Sequence, residues 1–277
     1  MKDITISRRS LLVSAGLLAL APLAGCGGNS GSGSAAAGSD YTVGVLQLTE
    51  HSALDAANDG FVKAIKKSGL KVKIDQKNAQ NDQSTCKSIA DKFVGDGVNL
   101  IYAIATPAAQ AAAGATADIP IVGCAITDYA ASGLVQDNDK PGTNVTGASD
   151  LTPVAEQLEM MQKVLPDVKK VGLLYCTAES NSDVQIKAAK KELDKLGPEY
   201  TDFTVSSSNE IQSVVESAVG KVDALYSPTD NTIAAGASQV GQICKENKLP
   251  YVTGEEGMCM AGGLFTLSIN YEDLGYA

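Results

Sequence analysis

Short apolar runs alternate with amphipathic stretches from Tyr41 onward, a pattern typical of the βα units that build a parallel sheet. In the first half this alternation predicts strands at 43–48, 71–74, 100–105, 119–126 and 145–148. It predicts helices at 53–68, 85–94 and 107–116. Gly69 is the expected C-cap of the first helix, and Thr106 is the expected N-cap of the third. The chain is therefore predicted to be an α/β protein.

The second half of the chain repeats the pattern of the first half. Segments 43–46, 98–102 and 120–123 recur, in the same order and at nearly constant offsets, as 171–174, 222–226 and 250–253. A threonine that follows the second matched segment in each half, Thr106 or Thr229, is expected to open a helix. We therefore predict two similar Rossmann-like lobes with parallel sheets and an interlobe cleft. The first lobe comprises 41–149 plus 269–277, and the second lobe comprises 150–268.

The first 25 residues have the parts of an export signal. Lys2, Arg8 and Arg9 precede an apolar run at 11–23, which is shorter than the roughly 20 residues that a membrane-spanning helix needs. The arginine pair resembles a twin-arginine export motif, and an ordinary positive n-region explains it equally well. Residues 1–25 are thus predicted to be a removable signal peptide.

The tetrapeptide LAGC that ends at Cys26 resembles the lipobox of bacterial lipoproteins, in which the cysteine carries the lipid. An ordinary secretory peptide with a chance cysteine is the alternative. Residues 26–40 are rich in Gly, Ser and Ala, which is the composition of a flexible tether. We therefore expect an extracytoplasmic protein that is held at the cell membrane through a lipid, such as palmitate, on Cys26.

Charge and composition narrow the classes of function. Lys and Arg number 22 against 32 Asp and Glu, for a net charge of −10, which argues against a nucleic-acid partner. His51 is the single histidine, so neither a multi-histidine metal site nor a histidine-dependent triad is predicted. The sequence carries no phosphate loop, HExxH motif or CxxC pair. We expect a binding protein rather than an enzyme, with no cofactor and no metal.

Five cysteines remain once Cys26 is assigned to the lipid: Cys86, Cys124, Cys176, Cys244 and Cys259. Their odd number leaves at least one thiol free in a chain without intermolecular bridges. One or two disulfides are compatible with an oxidising exterior, and the sequence leaves their pairing open. Cys124 and Cys176, at predicted strand ends, are most simply explained as small core residues.

Polar residues collect where the predicted strands end. Open parallel sheets bind ligands outside the carboxyl ends of their strands, where loops lead into helix N-termini. The strand-end turns, including 179–182, therefore supply the candidate ligand-binding residues, which are His51, Ser52, Thr106, Thr127, Asp128, Asp150, Asn181, Thr229, Asp230, Asn231 and Glu255. Asp230 is the favoured partner for a ligand ammonium group, although the same residue is also a good helix N-cap. Tyr129, Tyr226 and Tyr271 are candidates either for stacking on a ligand or for core packing.

Five segments make the chain similar to the substrate-binding lipoproteins of ABC importers, in the branch associated with tryptophan, tyrosine and phenylalanine uptake. They are NAQNDQS at 78–84, AIATPAAQ at 103–110, DLTP at 150–153, YSPTDN at 226–231 and GEEG at 254–257. The resemblance implies a type I periplasmic-binding-protein-like fold that captures a small zwitterionic solute, an aromatic amino acid above all, by hinge closure. It also implies ABC permease and ATPase subunits as partners.

The same resemblance leaves two alternatives open. The chain could be a ligand sensor or an enzyme on the same two-lobed fold, or it could bind a sugar or another small polar solute. Members of the resembled family continue into the first lobe after the segment at 271–277, so the sequence is expected to be a truncated form of such a protein.

Overall fold

The computed structural model describes residues 41–277, which form two separate parallel sheets. The first sheet has the order β2-β1-β3-β4-β5 and contains β1 (Tyr41–Gln47), β2 (Val72–Asn78), β3 (Leu100–Ile104), β4 (Ile121–Ile126) and β5 (Val145–Ser149). The second has the order β7-β6-β8-β9 and contains β6 (Lys170–Cys176), β7 (Glu199–Val205), β8 (Ala224–Ser227) and β9 (Tyr251–Thr253). The prediction of two similar parallel sheets is confirmed.

Helices connect the strands and cover the sheets. They are α1 (Ser52–Ser68), α2 (Gln83–Gly95), α3 (Thr106–Ala115), α4 (Val154–Val164), α5 (Ser180–Leu196), α6 (Ile211–Ala218), α7 (Asn231–Ala235), α8 (Ala237–Glu246), α9 (Glu256–Met260) and α10 (Tyr271–Tyr276). A short 3₁₀ helix at Ser208–Glu210 precedes α6. Within residues 41–277, none of these helices has both the length and the apolar character needed to cross a membrane.

The ends of several elements differ from the predicted ones. The predicted N-cap Thr106 is instead the first residue of α3, because Ala105 takes the N-cap position with a φ of 84°. The predicted helix start at Thr229 is also wrong, since Asp230 caps α7 through a hydrogen bond to the N–H of Ile233. Gly69, by contrast, ends α1 in the left-handed conformation, with a φ of 72°, as predicted.

A glycine in an inner strand of each sheet lies under a phenyl ring. A Cβ on Gly44 of β1 would lie 2.6–2.9 Å from ring carbons of Phe93, which α2 supplies. A Cβ on Gly172 of β6 would lie 3.1 Å from ring carbons of Phe203 on β7. Both rings are buried in the core of their own lobe. Each half of the internal repeat therefore has its own packed core.

The last helix packs against the first one. Gly60 of α1 and Gly275 of α10 allow this close approach, because a Cβ on Gly60 would overlap the carbonyl of Glu272 and one on Gly275 would overlap the carbonyl of Ala57. Two segments therefore connect the sheets: 150–153 leads from β5 to α4, and 267–270 leads back to α10.

All five cysteines of the described residues are free thiols. Cys124 is buried within β4 and Cys176 at the end of β6, and both belong to the hydrophobic core, as predicted. Burial raises the pKa of Cys124 to about 11 and raises the pKa of Cys176 as well, so both thiols are neutral at physiological pH.

Candidate functional site

A cavity lies between the two sheets, where the turns after the strands of both lobes meet. About 290 Å³ of space not filled by atoms lies within it, and this figure includes its opening to solvent. Eight predicted ligand-binding residues line it: His51, Thr127, Asp150, Asn181, Thr229, Asp230, Asn231 and Glu255. The rest of the lining consists of Ala53, Leu54, Ala125, Ala234 and Tyr271. The cavity thus brings together strand-end residues of both lobes.

Asp150 lies where the chain leaves the first sheet, directly after β5, and it is buried. Its Oδ1 accepts a hydrogen bond from the hydroxyl of Thr127 at 3.3 Å, and its Oδ2 accepts one from the hydroxyl of Tyr271 at 3.1 Å. Neither donor carries a positive charge. Burial therefore raises the pKa of Asp150 to about 6, although the two hydroxyl donors partly oppose that shift.

Asp230 is a buried carboxylate with more internal donors. It accepts hydrogen bonds from the N–H of Ile233 at 2.9 Å, the N–H of Cys176 at 2.6 Å and the hydroxyl of Ser182 at 2.7 Å. Burial and then the negative charge of Glu179 raise the pKa of Asp230, while the three donors lower it. Asp230 therefore joins β6, α5 and α7 as well as lining the cavity.

Glu179 fixes two amide side chains that line the cavity. Its Oε2 accepts from the backbone N–H of Asn231 at 3.0 Å, from the Nδ2 of Asn231 at 2.6 Å and from the Nδ2 of Asn181 at 3.1 Å. Its Oε1 accepts from the N–H and the hydroxyl of Thr232, both at 2.8 Å. The turn at 179–182 was identified from its strand-end position, but Glu179 itself was not among the predicted site residues.

Two buried polar atoms at the cavity have no hydrogen-bond partner, namely His51 Nδ1 and Asn181 Oδ1. His51 Nε2 lies 3.3 Å from the Oδ1 of Asn231, which can only accept, so the neutral ring carries its proton on Nε2 and leaves Nδ1 as an acceptor. Burial lowers the pKa of His51 and keeps the ring neutral. Both unpartnered atoms are therefore acceptors, which suits a ligand that donates hydrogen bonds.

Glu255 completes the set of carboxylates. It caps α9 by accepting from the N–H of Gly257 at 2.5 Å and from the N–H of Met258 at 2.6 Å, and its burial raises its pKa. Three carboxylates thus line the cavity, and its lining includes neither lysine nor arginine. In the part of the chain that the structure describes, no group of three or more His, Cys, Asp or Glu side chains is placed to hold a metal ion.

The N-terminus of helix α1 lies at the cavity, and no side chain caps it. Its N-cap residue, His51, makes no side-chain hydrogen bond to the helix, and Ala53 and Leu54 of the first turn line the cavity. The first N–H groups of a helix have no intrahelical acceptor and carry partial positive charge. The cavity therefore offers acceptors from several elements and donors from one helix end.

Three predicted ligand-binding residues do not line the cavity: Ser52, Thr106 and Asp128. The carboxylate of Asp128 accepts from the N–H of Ala131 at 2.9 Å and from the Nδ2 of Asn138 at 3.1 Å, and the first of these bonds is the main reason for its lowered pKa. Thr106 is buried, with a hydroxyl that has no partner. Ligand contact by these three residues stays a prediction.

The three candidate tyrosines separate into one at the cavity and two in the core. Tyr271 lines the cavity. Tyr226 is fully buried and donates to the Oε1 of Gln157 at 2.8 Å, and Tyr129 donates to the carbonyl of Gly123 at 2.8 Å. Tyr226 and Tyr129 therefore connect parts of the protein interior.

The apolar wall of the cavity was not predicted from the sequence. It includes Ala53, Leu54, Ala125 and Ala234. Alanine and leucine are common in every helix and strand, so their type alone does not distinguish a cavity wall from a core. Ala125 has a φ of 56°, which a residue with a side chain rarely adopts, and it lies where the register of β4 against β5 shifts.

Comparison with known proteins identifies the family of the chain and a relative similar in sequence. The family model described as "ABC transporter substrate binding protein" matches residues 42–277. A protein of Clostridioides difficile named "Tyrosine-binding protein" is 42% identical over 275 residues, which cover 96% of this chain and 80% of that protein. Sequence similarity therefore extends over the whole described part of the chain.

Two solved structures are similar in different degrees. An ABC domain from Streptococcus pneumoniae in complex with L-Trp is 40% identical and has a TM-score of 0.84, with coverage of 86% of this chain and 82% of that one. A ligand-free, open substrate-binding protein with adhesive properties from Clostridium difficile is 46% identical but has a TM-score of 0.61, with coverage of 85% and 81%. The higher identity goes with the lower TM-score. The fold is that of type I periplasmic binding proteins, and the described residues superpose better on the L-Trp complex than on the ligand-free, open structure.

The raised pKa of Asp150 predicts how its replacement changes stability. A carboxyl with a pKa of about 6 when folded, against roughly 3.9 when unfolded, makes the native state bind more protons between these two pH values. The free energy of unfolding therefore falls as pH rises through that interval. Asp150→Asn removes the ionisable group and with it this dependence on pH. We therefore expect the effect of the substitution on the free energy of unfolding of the ligand-free protein to be about 2 kcal/mol more stabilising at pH 7 than at pH 4.

Urea unfolding at both pH values measures this difference. The exposed Asp139, replaced in the same way, is the matched control and should give equal changes at pH 4 and pH 7. An equal effect of Asp150→Asn at the two pH values would show that burial does not raise the pKa of Asp150.

Proposed function

Because the chain belongs to the family of ABC transporter substrate-binding proteins, we propose that it captures a free aromatic amino acid between its two lobes for an importer. Proteins of this family work outside the cytoplasm and deliver a solute to ABC permease and ATPase subunits. The tyrosine-binding relative and the structure in complex with L-Trp support an aromatic ligand.

The observation that carries the proposal is the cavity with three carboxylates and no cationic side chain. A neutral or anionic ligand would leave these carboxylates without a counter-charge, whereas an ammonium group compensates at least one of them. Asp150, with only two hydroxyl donors, is the carboxylate that gains most from a cation. The unpartnered acceptors His51 Nδ1 and Asn181 Oδ1 fit the remaining hydrogens of the same group.

The other two parts of an amino acid also find complementary surfaces. The uncapped N-terminus of α1 suits the carboxylate, since backbone N–H groups bind anions there without a cationic side chain. Leu54, Ala125, Ala234 and Tyr271 form an apolar wall for the side chain. Three of these four residues are apolar throughout their side chains, and the fourth, Tyr271, adds a ring.

Calorimetry with analogues tests the ligand class. We expect L-tyrosine, L-tryptophan or L-phenylalanine to bind, and the matching deaminated acid to bind at least about thirtyfold more weakly, because it leaves the carboxylates unpaired. Mass spectrometry should recover the bound amino acid unchanged, as expected of a binding protein without a catalytic step. Equal affinity for the deaminated acid would rule out ammonium recognition, and a modified product would favour the enzyme alternative.

Two isosteric variants distinguish Asp150 from Asp230 as the ammonium partner. The sequence pattern favoured Asp230, but this carboxylate already accepts from three internal donors. We expect Asp150→Asn to weaken amino-acid binding more than tenfold, and Asp230→Asn to weaken it less, since internal donors already compensate the charge of Asp230. Titration calorimetry at pH 7 measures both affinities. A larger loss for Asp230→Asn would return the role to Asp230.

The proposal extends to where the protein works. We infer lipid anchoring to the cell membrane through Cys26, which lies outside the described residues, as do the predicted signal peptide at 1–25 and the tether at 26–40. The LAGC sequence supports this inference. Cys26→Ala should move the protein from the membrane fraction into the soluble or secreted fraction. Fractionation and immunoblotting measure this shift, and a variant retained on membranes like the parent would contradict the anchor.

A further inference from the structure

A second set of polar contacts joins the two lobes without lining the cavity. Asn81 Nδ2 donates to the Oγ1 of Thr232 at 2.9 Å, and Gln83 Nε2 donates to the carbonyl of Ala178 at 3.2 Å. Both donors lie in the first lobe, in the turn before α2 and at its first residue, and both acceptors lie in the second lobe. We call this pair of hydrogen bonds the interlobe seam.

We propose that the interlobe seam stabilises the closed arrangement independently of the ligand and thereby sets how slowly a bound ligand leaves. Asn81 and Gln83 are positioning residues, since they touch the opposite lobe and not the cavity. The role in ligand release rests on the proposed function. The role in closure rests on the interlobe contacts alone.

The backbone holds Asn81 in place for its contact. Its φ is 61°, a left-handed conformation that asparagine tolerates better than most residues, and its N–H donates to the carbonyl of Leu48 at 2.8 Å. The turn is thus tied to the end of β1, and its side chain is presented to the second lobe. This arrangement restricts the side chain before closure, which reduces the entropy lost when the bond forms.

The seam is linked to the cavity wall through Thr232. The hydroxyl of Thr232 donates to the Oε1 of Glu179 at 2.8 Å and accepts from Asn81, so both functions of the hydroxyl are used. Glu179 in turn holds Asn231, which lines the cavity. A first-lobe residue outside the cavity therefore supports the side chains that face the ligand.

A close contact between the lobes also exists beside the cavity. Gly257 at the start of α9 faces Ser52 at the start of α1, and a Cβ on Gly257 would overlap the hydroxyl of Ser52. The closed arrangement is therefore defined by direct contacts between the lobes at more than one place. Ligand contacts add to these contacts rather than replacing them.

The expected effect of the seam is modest and measurable. A neutral hydrogen bond contributes little net free energy, so loss of one seam bond should lower the ratio of closed to open molecules about threefold, and loss of both about tenfold. A ligand leaves only when the lobes separate, so the same factor should appear in the dissociation rate.

The test combines Asn81→Gly, which keeps the left-handed backbone free of strain, with Gln83→Ala. Gln242→Ala is the matched control, because Gln242 is an exposed glutamine that bonds to Glu246 of its own helix. Dyes for single-molecule energy transfer are attached to the exposed positions of Lys87→Cys and Lys187→Cys, one in each lobe, with Cys259→Ser in every variant. The ratio of closed to open molecules is measured first without any ligand.

In ligand-free protein the double variant should have a ratio of closed to open molecules about tenfold below that of the parent, while Gln242→Ala should match the parent. Stopped-flow displacement of L-tyrosine should then give a dissociation rate about tenfold higher for the double variant. An unchanged ratio in ligand-free protein would overturn the proposal. If the parent bound no aromatic amino acid, the proposed function would fail, and the ligand-free ratio would still decide the role of the seam.

Discussion

The desolvation of carboxylates is the constraint on which the centre of this molecule depends. A carboxylate removed from water needs donors or a cation, and the cavity lining offers no lysine or arginine. The parallel sheets supply the donors, because most strands lead into a helix whose first N–H groups have no intrahelical acceptor. Glu255 uses those of α9, and Asp230 and Glu179 share those of α7. The carboxylate of Asp150 accepts from two hydroxyl groups and from no helix N-terminus, so its charge is compensated least.

Much of this arrangement could be predicted from the sequence, because it follows from local pattern. The alternation of strands and helices, the repeat of VGVL as VGLL and the polar residues after each strand are all local features. They led to the two sheets and to cavity residues as far apart in sequence as His51 and Glu255.

Other parts of the site depend on contacts that no local pattern encodes. Glu179 accepts five hydrogen bonds from three residues. These residues lie on α5 and α7, so the role of Glu179 depends on the contact between two helices that are distant in sequence. Thr106 failed as a cap because Ala105 adopts a positive φ, which is unusual for alanine. Asp128 resembled a ligand-binding residue by type and position, yet its carboxylate is used within its own loop.

The phenyl rings over Gly44 and Gly172 have a consequence for how such a protein changes over time. Each ring packs against an inner strand of one lobe, within that lobe's own core cluster, while most cavity residues lie beyond the strand ends. Substitutions at cavity residues that take no part in the hydrogen bonds between elements leave both ring contacts in place, so specificity can change without loss of either core. A change of ligand can therefore evolve through substitutions around the cavity, while the core of each lobe stays the same.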